Sequence, residues 1–455
     1  MRTAISRRWP VHARAGLPAG LSVLVLLGFA FLSAALLDWQ AAHPGQPVPW
    51  FGVRLQRALG DETVENGIFL PDLQTALGTL SGSLIVLFGL LPCLAGRMNS
   101  WLVAREAGAG GPRFPRMQRA AVWLQFAGGL AFTASFVLPG GPARSGWTAY
   151  LPPVETTPGR LRFDAQTLGL FGLLLLAAAL LGFAINVLVA AASRQPTEHG
   201  RRRLPLSGFT QSLTAGVLVF ALPVMSAIML VQLSDNVFGS HLLPASVALW
   251  PNPLRWLTPP ATVLLLLPAV GMALEIIGTG RRLPAPCSAP PTMAWWFAAG
   301  SMAESVLAIL LGGWCVIGAF HRPAVGVFLD WQLPLHFAAG AALCAVFAGV
   351  CRSRPPVTGR VPDAFWGRVH GVLTLLYLNL WLLADALAMW WPQTGGAWAN
   401  AARFHALWML ALAQVPFGVN WLNLRSNGRT TKTTSPPTVL AAPATSASRA
   451  ARQPG

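Results

Sequence analysis

His336 is the one histidine that lies clearly inside an apolar span of this chain, and three acids share that setting: Glu275, Glu304 and Asp385. Such side chains do a short list of things in hydrocarbon. An imidazole can hold a metal or a heme iron through one ring nitrogen. A carboxyl group can carry a proton or an ion, or it can bond across to another helix. Glu304 falls mid-span, Asp385 in the second half of its span and Glu275 near a span end. Glu304 and Asp385 are therefore candidates for a proton or ion path, and helix-packing hydrogen bonds are the other reading. His370 and His405 sit near the ends of spans, while His12, His43, His199, His241 and His321 fall in loops or tails.

The elements that must position these groups are membrane helices. The chain has 455 residues, 54% of them hydrophobic and 10% charged, which no ordinary soluble domain shows. Apolar runs of about 20 residues recur, the length needed to cross a bilayer as helix. They predict about ten spans, at 17–37, 74–96, 119–138, 167–192, 209–233, 260–278, 293–320, 332–351, 369–391 and 404–424. The expectation is one all-α membrane domain over 17–424, with an N-terminal arm at 1–16 and a disordered tail at 425–455, rich in Ser, Thr, Pro and Ala. The first span lies too deep, and is followed by too many others, to read as a cleaved signal peptide. Residues 38–73 form the one long outer loop, expected as a capped excursion and not a second domain.

The net charge of +17 raises nucleic acid as a partner, and its distribution rejects it. With the N-terminus inside, inner segments hold 24 of the 32 Lys and Arg residues. That is a strong positive-inside bias, and it places both termini in the cytoplasm. The lipid bilayer is the partner this charge pattern implies. The five cysteines show no metal spacing and read as small buried apolar residues.

Several long stretches then carry a resemblance. The segment LPCLAGRMNSWLVAREAGAGGPRFPRM (91–117), the segment SGWTAYLPP (145–153), the exit LGFAINVLVAAASRQP (181–196) and the run FALPVMSAIMLVQLSD (220–235) occur in that order. FAGVCRSRPPVTGRVPDAFWGRVHGVLTLLYLNLWL (347–382) follows. Together they resemble subunit I of the heme–copper cytochrome oxidases, from about residue 17 to 425. The resemblance implies the same topology as the arginine count, and a respiratory role in a bacterial inner membrane beside other oxidase subunits. It also shows a departure: that family has twelve helices, and two, VII and VIII, are expected to be missing around the Pro-rich linker 279–292.

Carried over position by position, the family's metal ligands are largely missing. The helix II ligand of the low-spin heme falls on Ser81, a poor donor to heme iron. The five positions of the copper-site motif fall on Pro259, Pro260, Ala261, Thr262 and Val263. There the resemblance would put a histidine at Pro259 and the cross-linked tyrosine at Val263. No His-His pair occurs in the chain, so copper is not expected. The loop aspartate of the proton path lands on Gly111, and the propionate-clamping arginines fall near Gln393 and Thr394. Asp330 matches an aspartate beside the family's outer magnesium, but the companion histidine is Leu329.

His336 stays open between two readings. It is a helix-end histidine bonded to a carbonyl or water, or it is a surviving heme or metal ligand. In the second case His405 and His321 are the candidate partners. The leading expectation is a shortened, divergent subunit I homologue without a dinuclear centre or cofactor, acting as an accessory or assembly partner. A terminal oxidase with a rearranged heme site is the first alternative. A proton or ion pathway through Glu304 and Asp385 is the second.

Overall fold

The computed structural model describes residues 10–61, 63–97, 103, 112–138, 165–193, 196–197, 200–201, 204–238, 240, 253–280, 293–321, 332–358, 363–390 and 396–426. The chain is helical along its membrane part. In order, α1 is Pro10–Ala42, α2 Gly52–Leu59 and α3 Pro71–Ser83, which continues through π-helical stretches at Leu84–Leu90 and Cys93–Arg97. Then come α4 Pro115–Ser135, α5 Ala165–Ala192, α6 Leu206–Phe238, α7 Pro253–Gly280 and α8 Met293–His321. Last are α9 Gln332–Thr358, α10 Ala364–Trp390, α11 Gly396–Leu412 and α12 Val415–Ser426.

Seven of these are long and apolar enough to cross a membrane by length and composition: α1, α5, α6, α7, α8, α9 and α10. The other three expected spans also fall on helix. The 74–96 span is α3 with its π extension, whose apolar part Ala76–Leu90 is shorter. The 119–138 span is α4, which begins on Arg116 and Arg119 and carries Gln118 and Gln125. The 404–424 span is α11 and α12, separated by a turn at Ala413–Gln414.

Sequence neighbours pack as neighbours: α4 on α5, α5 on α6, α6 on α7, α7 on α8, α8 on α9 and α10 on α11. Helix α1 closes the ring by lying against α11 and α3. The π-helical part of α3 runs through the middle and touches α1, α4, α5, α6, α7 and α9. That placement follows from its sequence. Leu84, Val86, Leu87, Phe88, Leu90 and Leu91 are all buried, and a helix apolar on every side belongs inside a bundle.

Small residues set the closest approaches. On α9, Ala338, Ala341, Ala342, Ala345 and Ala348 are fully buried, and α8 comes close enough for the Ser301 hydroxyl to donate to the Ala341 carbonyl at 2.9 Å. Helices α4 and α5 meet at Gly128 and Gly172, where a Cβ on either would come within 2.7 Å of the other's carbonyl oxygen. Close backbone contact of this kind replaces the hydrophobic drive that lipid cannot supply.

Two of the sequence stretches that carry the resemblance touch each other. Asn186 on α5 is fully buried and accepts from the Phe114 N–H at 2.9 Å. Its amide donates to the Phe114 carbonyl at 3.3 Å and to Gln118 at 3.1 Å. Phe114 precedes α4 and has no side-chain cap of its own there, so Asn186 satisfies the orphan donor at that helix start. Replacing Asn186 by Leu should cost about 1–3 kcal/mol by leaving that N–H unpaired. Chemical denaturation in mixed micelles reads the loss; an unchanged midpoint would refute the anchoring role.

The excursion between α1 and α3 has its own small core of Val48, Val64, Phe69 and Leu73. A two-residue hairpin pairs Val64 with Phe69 and Glu65 with Ile68. Its turn is Asn66-Gly67, with φ of 51° and 78°, the left-handed pair that a tight hairpin needs. The ends of α1, α8 and α10, and the starts of α9 and α11, lie on this excursion side of the bundle by alternation of direction. The segment 145–153, most of 98–111 and the linker residues 281–292 lie outside the described residues.

Candidate functional site

Four charged or titratable side chains from four helices meet on the excursion side. Asp38 comes from the last turns of α1, and Arg403 from the second turn of α11. Asp385 comes from the last turns of α10, and His336 from the first turns of α9. The Arg403 guanidinium donates to Asp38 through Nε at 2.9 Å and lies 2.9 Å from the same oxygen through Nη2. Through Nη1 it donates to Oδ1 of Asp385 at 2.9 Å. The other oxygen of Asp385 accepts from Nδ1 of His336 at 2.6 Å. A carboxylate only accepts, so the Nδ1 proton belongs to the imidazole.

Burial makes these contacts matter. The side chains of Asp38 and Asp385 are 7% and 4% exposed and that of Arg403 is 20% exposed, while His336 keeps 32%. The planar fork of an arginine suits two carboxylates at once, where a lysine would be a point charge. A protonated His336 would balance the cluster at two positive and two negative charges. The Trp381 ring covers one side of the imidazole at 5.5 Å between centroids.

This arrangement brings two of the open candidates together. His336 is bonded to a carboxylate. Asp385 is the centre of a cross-helix ion pair. Glu304 stands apart from the cluster. It is 1% exposed, on the face of α8 turned to α9, and its Oε2 has no hydrogen-bond partner among the described residues. Glu275 accepts from the Leu206 N–H at 3.2 Å.

The other predicted positions are scattered. His405 is exposed and its ring contacts Phe404. Residues two apart on a helix point about 200° apart, so Arg403, not His405, faces His336. Ser81 is buried, and its hydroxyl donates to the Gly78 carbonyl at 3.0 Å. Ala261 and Thr262 on α7 are buried, but Val263 is 59% exposed and faces out of the bundle. Pro259 lies in the first turns of α7, and Asp330 and His321's loop neighbours lie outside the described residues. His370 is buried among Phe297, Phe347 and Phe417, with Nδ1 3.0 Å from the Ala413 carbonyl and 3.2 Å from the Thr374 hydroxyl.

These donors do not fit a heme between α3 and α9 or a copper beside it. The serine at the helix II ligand position is bonded within its own helix. One continuous core of Leu84, Leu87 and Phe88 with Phe337, Ala338 and Ala341 joins the two helices. His336 of α9 and the buried His370 of α10 are engaged at different sites.

Helices, central span and buried cross-helix ion pairs together define a multi-pass helical membrane protein. A family model described as "Cytochrome C and Quinol oxidase polypeptide I" matches residues 14–285, more than half of the chain, and the protein belongs to that family. It is 26% identical to the putative cytochrome c oxidase subunit 1-beta of Streptomyces avermitilis over 376 residues, covering 74% of this chain and 63% of that protein. It is 29% identical to quinol oxidase subunit 1 of Bacillus subtilis over 211 residues, covering 45% of this chain and 31% of that one. Cytochrome c oxidase subunit 1 of Thermostichus vulcanus is 24% identical over 382 residues, at 70% and 68% coverage. The chain thus spans less than two thirds of the length of the first two relatives.

Proposed function

We propose that this protein is a subunit I homologue that has given up heme–copper chemistry and serves as an accessory or assembly partner of a respiratory oxidase. It would sit in a bacterial plasma membrane with both termini in the cytoplasm. The observation that carries this reading is Ser81, buried at the helix II ligand position with its hydroxyl spent on the Gly78 carbonyl. The apolar core that joins α3 to α9 supports the same reading. The outward-facing Val263 supports it from the copper side. What such a protein keeps is a membrane surface of the family's shape, suited to contacts with other oxidase subunits.

The protein purified in detergent should give no stoichiometric heme by pyridine hemochrome and reduced-minus-oxidised spectra, and no copper by elemental analysis. One heme per chain overturns the proposal. A rearranged heme site is the second reading, and one observation favours it: Asp385 orients Nδ1 of His336 as carboxylates orient metal-bound imidazoles. The same spectrum decides, because that reading requires a heme band lost in His336→Phe.

A further inference from the structure

Glu304 is the buried acid that the ion-pair cluster does not use. Its carboxyl lies beside Gly340 of α9, where an added Cβ would sit 3.7 Å from both its carbon and its Oε2. Gly340 and His336 are four residues apart on α9, so they lie on one face, about one turn from each other. Helix α10 repeats the relation. Leu382 contacts the same Gly340 position at 3.1 Å, and Asp385 lies one turn further toward the excursion side. Glu304 is therefore one turn deeper in the bundle than the His336–Asp385 pair.

A second orphan atom comes from α10. The Trp381 indole N–H is buried without a partner among the described residues, and its ring lies against His336. An unpaired acceptor on Glu304, one turn deeper than the imidazole, and an unpaired donor on the tryptophan packed against it thus fall in one region of the bundle. Buried unpaired polar atoms of this kind are what a bound water satisfies. The imidazole also reaches outward, being the most exposed member of its cluster. An acid in hydrocarbon without a counter-charge marks a proton or ion site by default. The titratable neighbours of Glu304 are Cys344 on α9 and, a turn away, His336; those facing His336 are Asp385, Arg403 and, through Arg403, Asp38.

We propose that Glu304 is a proton-binding site, loaded from the excursion side through His336 by a water held between the imidazole, the Trp381 indole and the Glu304 carboxyl. The imidazolium gives its Nε2 proton to that water, the water gives one of its own to the Glu304 carboxylate, and His336 is reprotonated from solvent. Nδ1 keeps its proton on Asp385 throughout, so no bond other than O–H and N–H changes. The relay needs Nε2 of His336 free of metal, so it rests on the heme-free reading above.

Infrared difference spectroscopy of the full-length protein in lipid vesicles tests it. The wild type should show the carbonyl stretch of a protonated carboxyl that shifts when glutamate is labelled with carbon-13, and that is lost in Glu304→Gln. Transfer to heavy water should exchange that band, and His336→Phe should slow the exchange at least tenfold while keeping the band. The isotope label assigns the band to glutamate without any substitution, so a poorly folding Glu304→Gln does not block the test. A band absent from the wild type, unmoved by the label, or exchanging equally fast in His336→Phe overturns the proposal.

Discussion

Arg403→Met should destabilise the folded protein by about 3–5 kcal/mol, the cost of leaving a buried carboxylate without its partner. Here two carboxylates lose it together, since Asp38 and Asp385 share one guanidinium at 2.9 Å. The damage should reach helices far apart in sequence, because the clasp ties α1 to α10 and α11. Denaturation in mixed micelles measures the loss, and the accessibility of a cysteine introduced on α1 reports whether that helix detaches. Adding Asp38→Asn and Asp385→Asn to Arg403→Met should recover part of the stability, a coupling that separate sites would not show. Arg403→Lys should fall between, as lysine cannot span both acids with a planar fork. A midpoint unchanged in Arg403→Met would mean that the clasp contributes nothing.

The second large effect concerns the α4–α5 contact. Gly172→Ala would place a methyl 2.7 Å from the Gly128 carbonyl oxygen and 2.9 Å from the Phe132 nitrogen. Both are backbone atoms, so no rotamer relieves the clash and the helices must part. Overpacking of this kind costs about 1–3 kcal/mol. Gly216→Ala on α6 is the control, since nothing lies within 4 Å of its added methyl. The two variants change composition identically, and only the first should lower the denaturation midpoint. Equal midpoints would show that the close approach of α4 and α5 adds no stability.

Much of the architecture was legible in the residues. Apolar runs long enough to cross a bilayer, in an order matching a known subunit, led directly to a helical membrane bundle. The site was legible only in pieces. His336 and Asp385 were both singled out, but as separate questions, because 49 residues divide them. In the sequence Arg403 stands out only as one of the few charges outside the inner segments, and Asp38 as the edge of a loop. They bond to each other across 365 residues, a pairing no local spacing reveals. One signal was present: two opposite charges at the same end of otherwise uncharged spans, each expensive unless it meets the other. Helix phase points Arg403 inward and leaves His405, the candidate ligand partner, exposed.

The π-helical stretch of α3 bears on any attempt to place a heme ligand on that helix. A π turn closes its hydrogen bond one residue later than an α turn, as the Leu91 N–H does on the Val86 carbonyl. Counting back from Pro92 therefore measures sequence distance but not angle. Over the seven residues Leu84–Leu90 the azimuth lags an uninterrupted α-helix by roughly a third of a turn. A histidine engineered at Ser81 would leave the helix on a bearing set by that lag. Leu80 and Leu84, buried on neighbouring bearings, are equal contenders, and a restoration screen must sweep the dial of α3 rather than a single alignment column.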